Sequence, residues 1–185
     1  MAERLGAHSL VDAFKAQGVN SIFTLSGNHI MPIFDAVIDH PIKLIHTRHE
    51  AATVHMADAY ARLSGKVGIA MVTGGPGHAN AVSALYTAAM AEAPVVLLSG
   101  HAPLNQLGKG AFQEMSQADI AAPLCKASWT CAGPQYLAAD FALACAIAQS
   151  GRPGPVHLSL PSDALENPLT AASVTPSPGA PKLES

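Results

Sequence analysis

The stretch Val67-Gly-Ile-Ala-Met-Val-Thr73-Gly-Gly-Pro-Gly-His-Ala-Asn80 decides the fold of this 185-residue chain. Residues 67–73 form an almost uninterrupted apolar run, which predicts a strand buried on both faces. Three glycines and a proline then predict a tight turn. The small-residue segment 78–91 that follows predicts a helix. A buried strand, a glycine-rich turn and a helix in this order are typical of a parallel α/β sheet.

The same alternation continues on both sides of this stretch. Further strands are predicted at 21–25, 43–46, 95–99, 126–130 and 156–160. Helices are predicted from about residue 10 to Gly18, and over 32–39, 50–63 and 135–149, with a loop and one short helix in 101–123. Six strands separated mostly by helices predict a doubly wound α/β domain, with three α/β/α layers around a mainly parallel six-stranded sheet.

The composition limits the classes of function. Only 12% of the residues are charged, 49% are hydrophobic, and the net charge is −3. A disordered chain is excluded, because such chains are rich in charge and poor in apolar residues. Nucleic-acid and membrane partners are not expected, since no basic patch could neutralise phosphates and no apolar run reaches about 20 residues. A surface so poor in charge predicts coverage by a second subunit or by other domains.

The cysteines and the termini bear on compartment and domain organisation. Cys125, Cys131 and Cys145 are odd in number and form no Cys-x-x-Cys, which favours buried thiols in a reducing cytosol. The N-terminus lacks the apolar region of a signal peptide, so we expect a cytoplasmic protein. Residues 170–185 are rich in Ala, Ser, Thr and Pro, which predicts a linker or tail to a missing central domain, with 1–169 as the folded domain.

Ligands of doubly wound sheets bind beyond the carboxyl ends of the strands, where the segments 26–30, 47–50, 73–80 and 100–113 lie. The segment from Gly75 to Asn80 nearly matches G-x-G-x-x-G. It is either a nucleotide-binding turn or a tight turn capped by Asn80.

Glu50 opens a predicted helix at this edge. It is either a first-turn glutamate favoured by the helix dipole or a buried carboxyl that exchanges a proton with a ligand. His46 and His49 lack the order of zinc-binding motifs, so no metal ligand is assigned. Phe112 and Gln113 either line a substrate pocket or pack only against their own loop.

Six motifs follow one another between about residues 4 and 167. They are Gly18-Val19-Asn20-Ser21-Ile22-Phe23, Thr47-Arg48-His49-Glu50-Ala51-Ala52, Ala57-Asp58-Ala59-Tyr60-Ala61-Arg62, Thr73-Gly74-Gly75-Pro76-Gly77-His78-Ala79-Asn80, Ala111-Phe112-Gln113-Glu114, and Gly151-Arg152-Pro153-Gly154-Pro155 leading to Leu160-Pro161. Together they resemble the N-terminal pyrimidine-binding domain of thiamine-diphosphate-dependent enzymes, in the branch of acetolactate synthase, pyruvate oxidase and benzaldehyde lyase.

The resemblance implies roles for individual residues. Glu50 aligns with the glutamate that hydrogen-bonds the pyrimidine ring of the cofactor and activates its aminopyrimidine. His29 resembles a proton-transfer residue of benzaldehyde lyase, and Phe112 and Gln113 match substrate positions facing the reacting carbonyl from the neighbouring subunit, with Gln113 also catalytic. The implied cofactor-binding residues are Gly27, Asn28, Glu50, Thr73, Pro76, Gly77 and Asn80.

The resemblance also implies an activity. The complete enzyme would make or break a C–C bond next to a carbonyl, by decarboxylation or carboligation of a small 2-ketoacid or aldehyde. Ser26 and Thr24 depart from the usual residues of the synthase branch. A lyase or ligase activity is therefore as compatible with the sequence as a synthase activity.

Cofactors and partners follow from the same family. Thiamine diphosphate would be held through Mg²⁺ by a domain absent from this chain, and FAD is possible in the full enzyme. Each site forms between two subunits, so we expect a homodimer or homotetramer, pairing with the partner subunit's diphosphate-binding domain, and no activity from this chain alone. Two alternatives stay open: a separate alpha-type subunit of a split thiamine-diphosphate decarboxylase, and a non-catalytic nucleotide-binding α/β module.

Overall fold

The computed structural model describes residues 3–183, in which helices and strands alternate. The helices are α1 (Gly6–Ala16), α2 (Met31–Ala36), α3 (Glu50–Ser64), α4 (Pro76–Met90), α5 (Gln117–Ala121), α6 (Leu137–Gln149) and α7 (Ser162–Glu166). The strands are β1 (Ser21–Thr24), β2 (Lys43–His46), β3 (Gly68–Val72), β4 (Val95–His101), β5 (Ala127–Thr130) and β6 (Val156–Pro161). Short 3-10 turns cover Asn28–Ile30, Leu104–Gln106, Ala122–Leu124 and Pro134–Tyr136.

The six strands form one parallel sheet in the order β2-β1-β3-β4-β6-β5. The chain first runs outward from β1 to β2, and then returns to the other side of β1 to build the rest of the sheet. The topological switch point therefore lies between β1 and β3. The predicted doubly wound α/β fold is confirmed.

Helices cover both faces of the sheet. On one face α1 and α6 pack together, and Phe14 meets Phe141 edge to face with ring centroids 4.8 Å apart. On the other face α3 and α4 are lined by buried alanines and lie close to the strands. A Cβ on Gly68 would lie 2.1 Å from the carbonyl oxygen of Ala57, so α3 packs at a distance that only glycine allows. This double coverage explains why β3, β4 and β6 are buried along their whole length.

Some element boundaries differ from the predicted ones. Helix α2 ends at Ala36 rather than near Asp39, because the chain tightens into turns before Pro41, which disfavours helix in the preceding residue. Strand β6 runs on to Pro161, and α7 follows it directly although no helix was predicted there. None of the helices within residues 3–183 has the length and apolarity to cross a membrane.

The Pro-rich segment after α7 lies against the domain as far as it is described. The backbone N–H of Leu169 donates to the carbonyl of Arg4 at 2.7 Å, and that of Ser173 donates to Gln135 at 2.8 Å. Ser177 is buried. A linker function for residues 170–185 stays a prediction, and its last two residues lie outside the described ones.

Candidate functional site

The loops after β1 and β3 touch at the switch point of the sheet. A Cβ on Gly27 would lie 2.4 Å from the Cβ of Thr73, so a side chain has no room there. The φ of Gly27 is −175°, an extended conformation open to any residue, so space alone requires this glycine. Beyond it Asn28 is exposed and His29 is buried. The contact lies at the carboxyl edge of the sheet, where doubly wound folds form their ligand-binding crevice.

The glycine-rich turn forms the floor of this crevice. Gly75 has φ +59°, a left-handed conformation that favours glycine, and Pro76 then takes the first position of α4. A Cβ on Gly77 would lie 2.7 Å from Cγ2 of Thr73 and 3.5 Å from Oε1 of Glu50. Gly77 is buried, and its lack of a side chain allows α4 to pack closely against Thr73, with Glu50 beside it.

Glu50 is the first residue of α3 and faces the start of α4. The Nδ2 group of Asn80 donates a hydrogen bond to Glu50 Oε2 at 3.0 Å. His49 fixes the start of the helix, because its Nδ1 accepts the N–H of Ala51 at 3.1 Å. Asn80 lies inside α4, so the hypothesis that it caps that helix is wrong. The half-buried carboxylate is thus held at Oε2, while Oε1 lies beside Gly77.

His29 lies next to the hydroxyl of Thr73, whereas Gly77 packs on the methyl group of the same side chain. Its Nδ1 is 3.3 Å from Thr73 Oγ1, and its ring stacks on that of Phe112, with centroids 5.9 Å apart. Burial, and after it the charge of His101, lowers the pKa of His29, against smaller opposing effects from Phe112 and Gln113. The imidazole is therefore neutral near pH 7 and has both a donor and an acceptor nitrogen.

Gln113 combines two unusual features. Its φ is +57°, in the left-handed region that non-glycine residues rarely adopt. Its side-chain Oε1 is buried and has no hydrogen-bond partner. Strain and an unpaired buried polar atom tend to occur where a ligand binds. Phe112 beside it is 68% exposed, which is unusual for a large aromatic side chain.

A buried polar layer beneath the turn was not predicted. Gln117 is 1% exposed, and its Oε1 accepts the backbone N–H of Gly75 at 2.9 Å. Its Nε2 donates to the carbonyl of Gly100 and to Oγ of Ser159, both at 3.1 Å. These partners are far apart in the sequence, so no local pattern reveals them.

Two buried histidines belong to the same layer. The rings of His78 and His157 are 4.6 Å apart, and burial lowers the pKa of His78 to about 4 and that of His157 well below its ordinary value. His78 Nδ1 is 2.9 Å from Ser99 Oγ. The signal in the sequence was the polar pair His157 and Ser159 inside the predicted strand 156–160.

The structure thus brings the predicted site residues to one edge of the sheet. Glu50, Asn80, Gly77, Thr73 and Gly27 follow one another across the crevice. His29, Phe112 and Gln113 continue this line on the far side, and Pro76 and Asn28 are exposed at its margins. Within residues 3–183 no three His, Cys, Asp or Glu side chains are placed to bind a metal ion.

A doubly wound domain with a glycine-lined crevice and a fixed carboxylate at its switch point defines a cofactor-binding domain of the α/β class. Comparison with protein families then identifies it more closely. Residues 4–120 match the model of the thiamine pyrophosphate enzyme family, N-terminal TPP binding domain. This match covers more than half of the chain, and the chain belongs to that family.

Relatives of established name are similar over most of the chain. It is 44% identical over 162 residues to 2-hydroxyacyl-CoA lyase 2 of Danio rerio, which covers 88% of this chain and 26% of that protein. It is 43% identical over 162 residues to the Homo sapiens protein of the same name, with the same coverage of 88% and 26%.

The acetolactate synthase large subunit of Parasynechococcus marenigrum (strain WH8102) is 41% identical over 175 residues, with 92% of this chain and 28% of that protein covered. The chain spans about a quarter of the length of these relatives.

Proposed function

We propose that this chain binds the aminopyrimidine of thiamine diphosphate in the crevice and activates it through Glu50. The complete enzyme would make or break a C–C bond next to a carbonyl. The observation that carries the proposal is the Glu50 carboxylate at the switch point, which Asn80 holds at Oε2 while Oε1 lies beside Gly77.

The shape and chemistry of the crevice fit an aromatic heterocycle with nitrogen donors and acceptors. Gly27 and Gly77 both pack directly against Thr73, which brings the two loops and Glu50 close together at the switch point. Glu50 offers a carboxyl oxygen to a ring nitrogen. Thr73 and Pro76 would line the ring from the turn. These groups match a pyrimidine better than a phosphate, which would need cationic or amide donors.

When bound, the cofactor would stabilise negative charge at the carbonyl carbon of a substrate, so that a C–C bond to that carbon can break or form. Glu50 would exchange a proton with a ring nitrogen of the bound cofactor, and Asn80 keeps the carboxylate aligned for this exchange. His29 is neutral and buried, so it can pass a proton to or from a substrate oxygen. The Phe112 ring and the Gln113 amide border the space next to His29 and would contact the substrate.

The substrate class is proposed from the relatives and from His29 together. The names of the similar proteins indicate two reactions, cleavage of a 2-hydroxyacyl-CoA and synthesis of acetolactate. The buried imidazole beside Thr73 is compatible with both reactions, because cleavage and carboligation each need a group that transfers a proton at a hydroxyl. A small 2-ketoacid or aldehyde is the matching product or partner substrate.

The assembly is part of the same proposal. We expect Mg²⁺ on the diphosphate, held by a domain outside this chain, FAD as an option of the full enzyme, and a homodimer or homotetramer. Exposed apolar side chains on α3 and α4, namely Met56, Tyr86 and Met90, support a covering partner. Burial raises the pKa of the Cys125, Cys131 and Cys145 thiols to about 12, which supports unreactive thiols in a reducing cytosol.

The test is Glu50→Gln in the natural full-length protein. The amide keeps the size of the side chain and a partner for Asn80 but does not exchange a proton. We expect activity to fall by at least about 100-fold, the lower range for proton-transfer catalysis, while thiamine diphosphate still binds by calorimetry. Glu166→Gln, an exposed carboxyl on α7, is the matched control.

A loss below about tenfold for Glu50→Gln would contradict the assigned role. Calorimetry with ATP or NAD in place of thiamine diphosphate tests the alternative of a nucleotide-binding module. Tight nucleotide binding without thiamine diphosphate binding would favour that alternative. The alternative of a separate alpha-type subunit stays a prediction, which copurification with a diphosphate-binding chain would test.

A further inference from the structure

The side chain of Gln117 lies beneath the crevice and touches none of the predicted site residues through its polar atoms. We propose that Gln117 is the positioning residue of the site: it holds the glycine turn, the backbone behind His29 and the Gln113 loop in one fixed arrangement. The inference rests on the proposed function and adds a residue that neither the motifs nor the family match singles out.

The hydrogen bonds of Gln117 determine the orientation of its amide. Oε1 accepts from a backbone N–H at Gly75, and Nε2 donates to a backbone carbonyl at Gly100. The flipped amide would place two donors together at Gly75 and two acceptors together at Gly100. Only one orientation satisfies both, so the side chain is locked between the β3–α4 turn and the end of β4.

A chain of hydroxyls and one imidazole fixes the rest of the layer. Ser128 Oγ donates to the carbonyl of Ala118 at 2.7 Å, so it accepts the Nδ1–H of His157 at 2.8 Å. His157 is then the tautomer with Nε2 as an acceptor, and Ser159 Oγ lies 3.4 Å from that atom. Ser159 in turn accepts from Gln117. This series of hydrogen bonds begins at Ala118 and ends at Gln117. Both residues lie on α5, so the series anchors that helix.

Gly75 and Gly100, the two backbone partners of Gln117, support different parts of the site. Gly75 precedes Pro76 and Gly77, and a Cβ on Gly75 would lie 2.7 Å from the Cβ of Gln113. A Cβ on Gly100 would lie 2.5 Å from the Cβ of His29, so the strand end backs the histidine directly. Through Gly75, Gln117 thus holds the glycine turn and the loop that carries Gln113. Through Gly100, it holds the backbone behind His29.

Removal of the amide should therefore loosen the site without removing a group that touches the cofactor. Gln117→Met keeps the length of the side chain but leaves the Gly75 N–H and the Gly100 carbonyl buried and unpaired. In the natural full-length protein we expect thiamine diphosphate with Mg²⁺ to bind about tenfold more weakly. We also expect kcat to fall at saturating cofactor, and hydrogen–deuterium exchange of residues 73–78 to accelerate.

A second variant guards against a general folding defect. Gln117→Glu keeps an acceptor for the Gly75 N–H, and burial next to the Gly100 carbonyl favours its protonated form, which also keeps a donor to Gly100. It should restore most of the exchange protection of residues 73–78 and recover part of the affinity. Phe141→Leu, in the core on the other face of the sheet, is the control for loss of stability alone, and its cofactor affinity should match wild type.

The outcomes separate this inference from the proposed function. Failure of the wild-type protein to bind thiamine diphosphate would overturn the proposed function, and exchange at residues 73–78 would still decide whether Gln117 holds the turn. If wild type binds, an unchanged affinity and kcat in Gln117→Met would overturn the positioning role. Equal losses in Gln117→Met and Phe141→Leu would overturn it too, because they would show a purely structural effect.

Discussion

Three candidate site residues converge on the Thr73 side chain. The backbone of Gly27 lies against its Cβ, Gly77 lies against its Cγ2, and the imidazole of His29 faces its Oγ1. The width of the crevice is therefore determined by one β-branched side chain and by two positions without a Cβ. A methyl group added at either glycine should lower both the stability of the domain and its affinity for the ligand.

Gly77→Ala tests this arrangement. The new methyl would lie 2.7 Å from Thr73 Cγ2, closer than packed atoms normally approach. Overpacking of this kind costs about 1–3 kcal/mol, against a gain of up to about 1 kcal/mol for alanine over glycine in a helix. We expect a net loss of about 1–2 kcal/mol in the free energy of unfolding, measured by thermal denaturation.

Thr73→Ser removes the clashing Cγ2 and keeps the hydroxyl next to His29. The double variant Gly77→Ala/Thr73→Ser should therefore regain most of the lost stability. Its methyl still lies 3.5 Å from Glu50 Oε1, so calorimetry on the natural full-length protein should still show about tenfold weaker thiamine diphosphate binding. Wild-type affinity in the double variant would contradict the assignment of this space to the cofactor.

Residues such as Glu50 and Thr73 could be placed from the sequence because topology alone brings the carboxyl ends of parallel strands to one edge. The contact between Glu50 and Asn80 was missed because it depends on the relative positions of α3 and α4 along their axes. Gln117 was missed for a related reason. Its partners come from three other elements, and a buried amide leaves no periodic signal in its own segment.

At the scale of elements, α4 packs on β4 and β6 through a polar layer as well as through alanines. His78 in its first turn faces His157 on β6, and His101 lies near both. His101 ring nitrogens lie 2.9 Å and 3.0 Å from the carbonyl oxygens of Ala102 and Met115. Two neutral histidines in contact are stable only while neither takes up a proton, so the packing of α4 should depend on pH.

We expect the chain to lose stability as the pH falls below about 6.5. In the unfolded chain a histidine takes up a proton near pH 6.5, whereas folded His78 does so only near pH 4. The unfolded state therefore binds more protons between these values, and stability falls by up to about 1.4 kcal/mol per pH unit for each such histidine. For His78 this amounts to about 3 kcal/mol, and His157 acts in the same direction.

Denaturant unfolding from pH 7 to pH 4.5, followed by the fluorescence of the single tryptophan Trp129, measures this dependence. His78→Gln should flatten the slope below pH 6.5, even if it lowers stability at pH 7. The same substitution at exposed His55 is the control for the loss of one histidine. A slope in His78→Gln equal to that of wild type would contradict the role of the buried pair.

The elements themselves were predictable where a regular pattern met a clear end signal. Helix α3 closes at Gly65, which adopts φ +70° as the capping glycine predicts. Helix α7 was missed because Pro161 marks the end of a strand and equally well precedes the first turn of a helix. Its five residues are too few to show a period of 3.6.

For the molecule as a whole, the Pro-rich segment after α7 is a structural part of the domain. Ser177 donates to the fully buried carboxylate of Asp140 twice, through its backbone N–H at 2.7 Å and through its hydroxyl at 2.5 Å. The same hydroxyl accepts the backbone N–H of Ala132 at 2.9 Å. Composition favours a linker here because proline and serine form no periodic pattern, and it carries no signal of a contact 37 residues away in sequence.

Ser177→Ala should therefore destabilise the domain although it lies in a segment without helix or strand. It removes one donor from a buried carboxylate, and hydrogen bonds to charged groups contribute about 1.5–3 kcal/mol. For a chain of this size we expect Tm to fall by roughly 4–10 °C. Ser173→Ala, the same substitution four residues earlier, removes only a local turn contact with Thr175 and should change stability by less than about 0.5 kcal/mol. Equal effects of the two substitutions would show that residues 170–183 rest on the domain without holding it together.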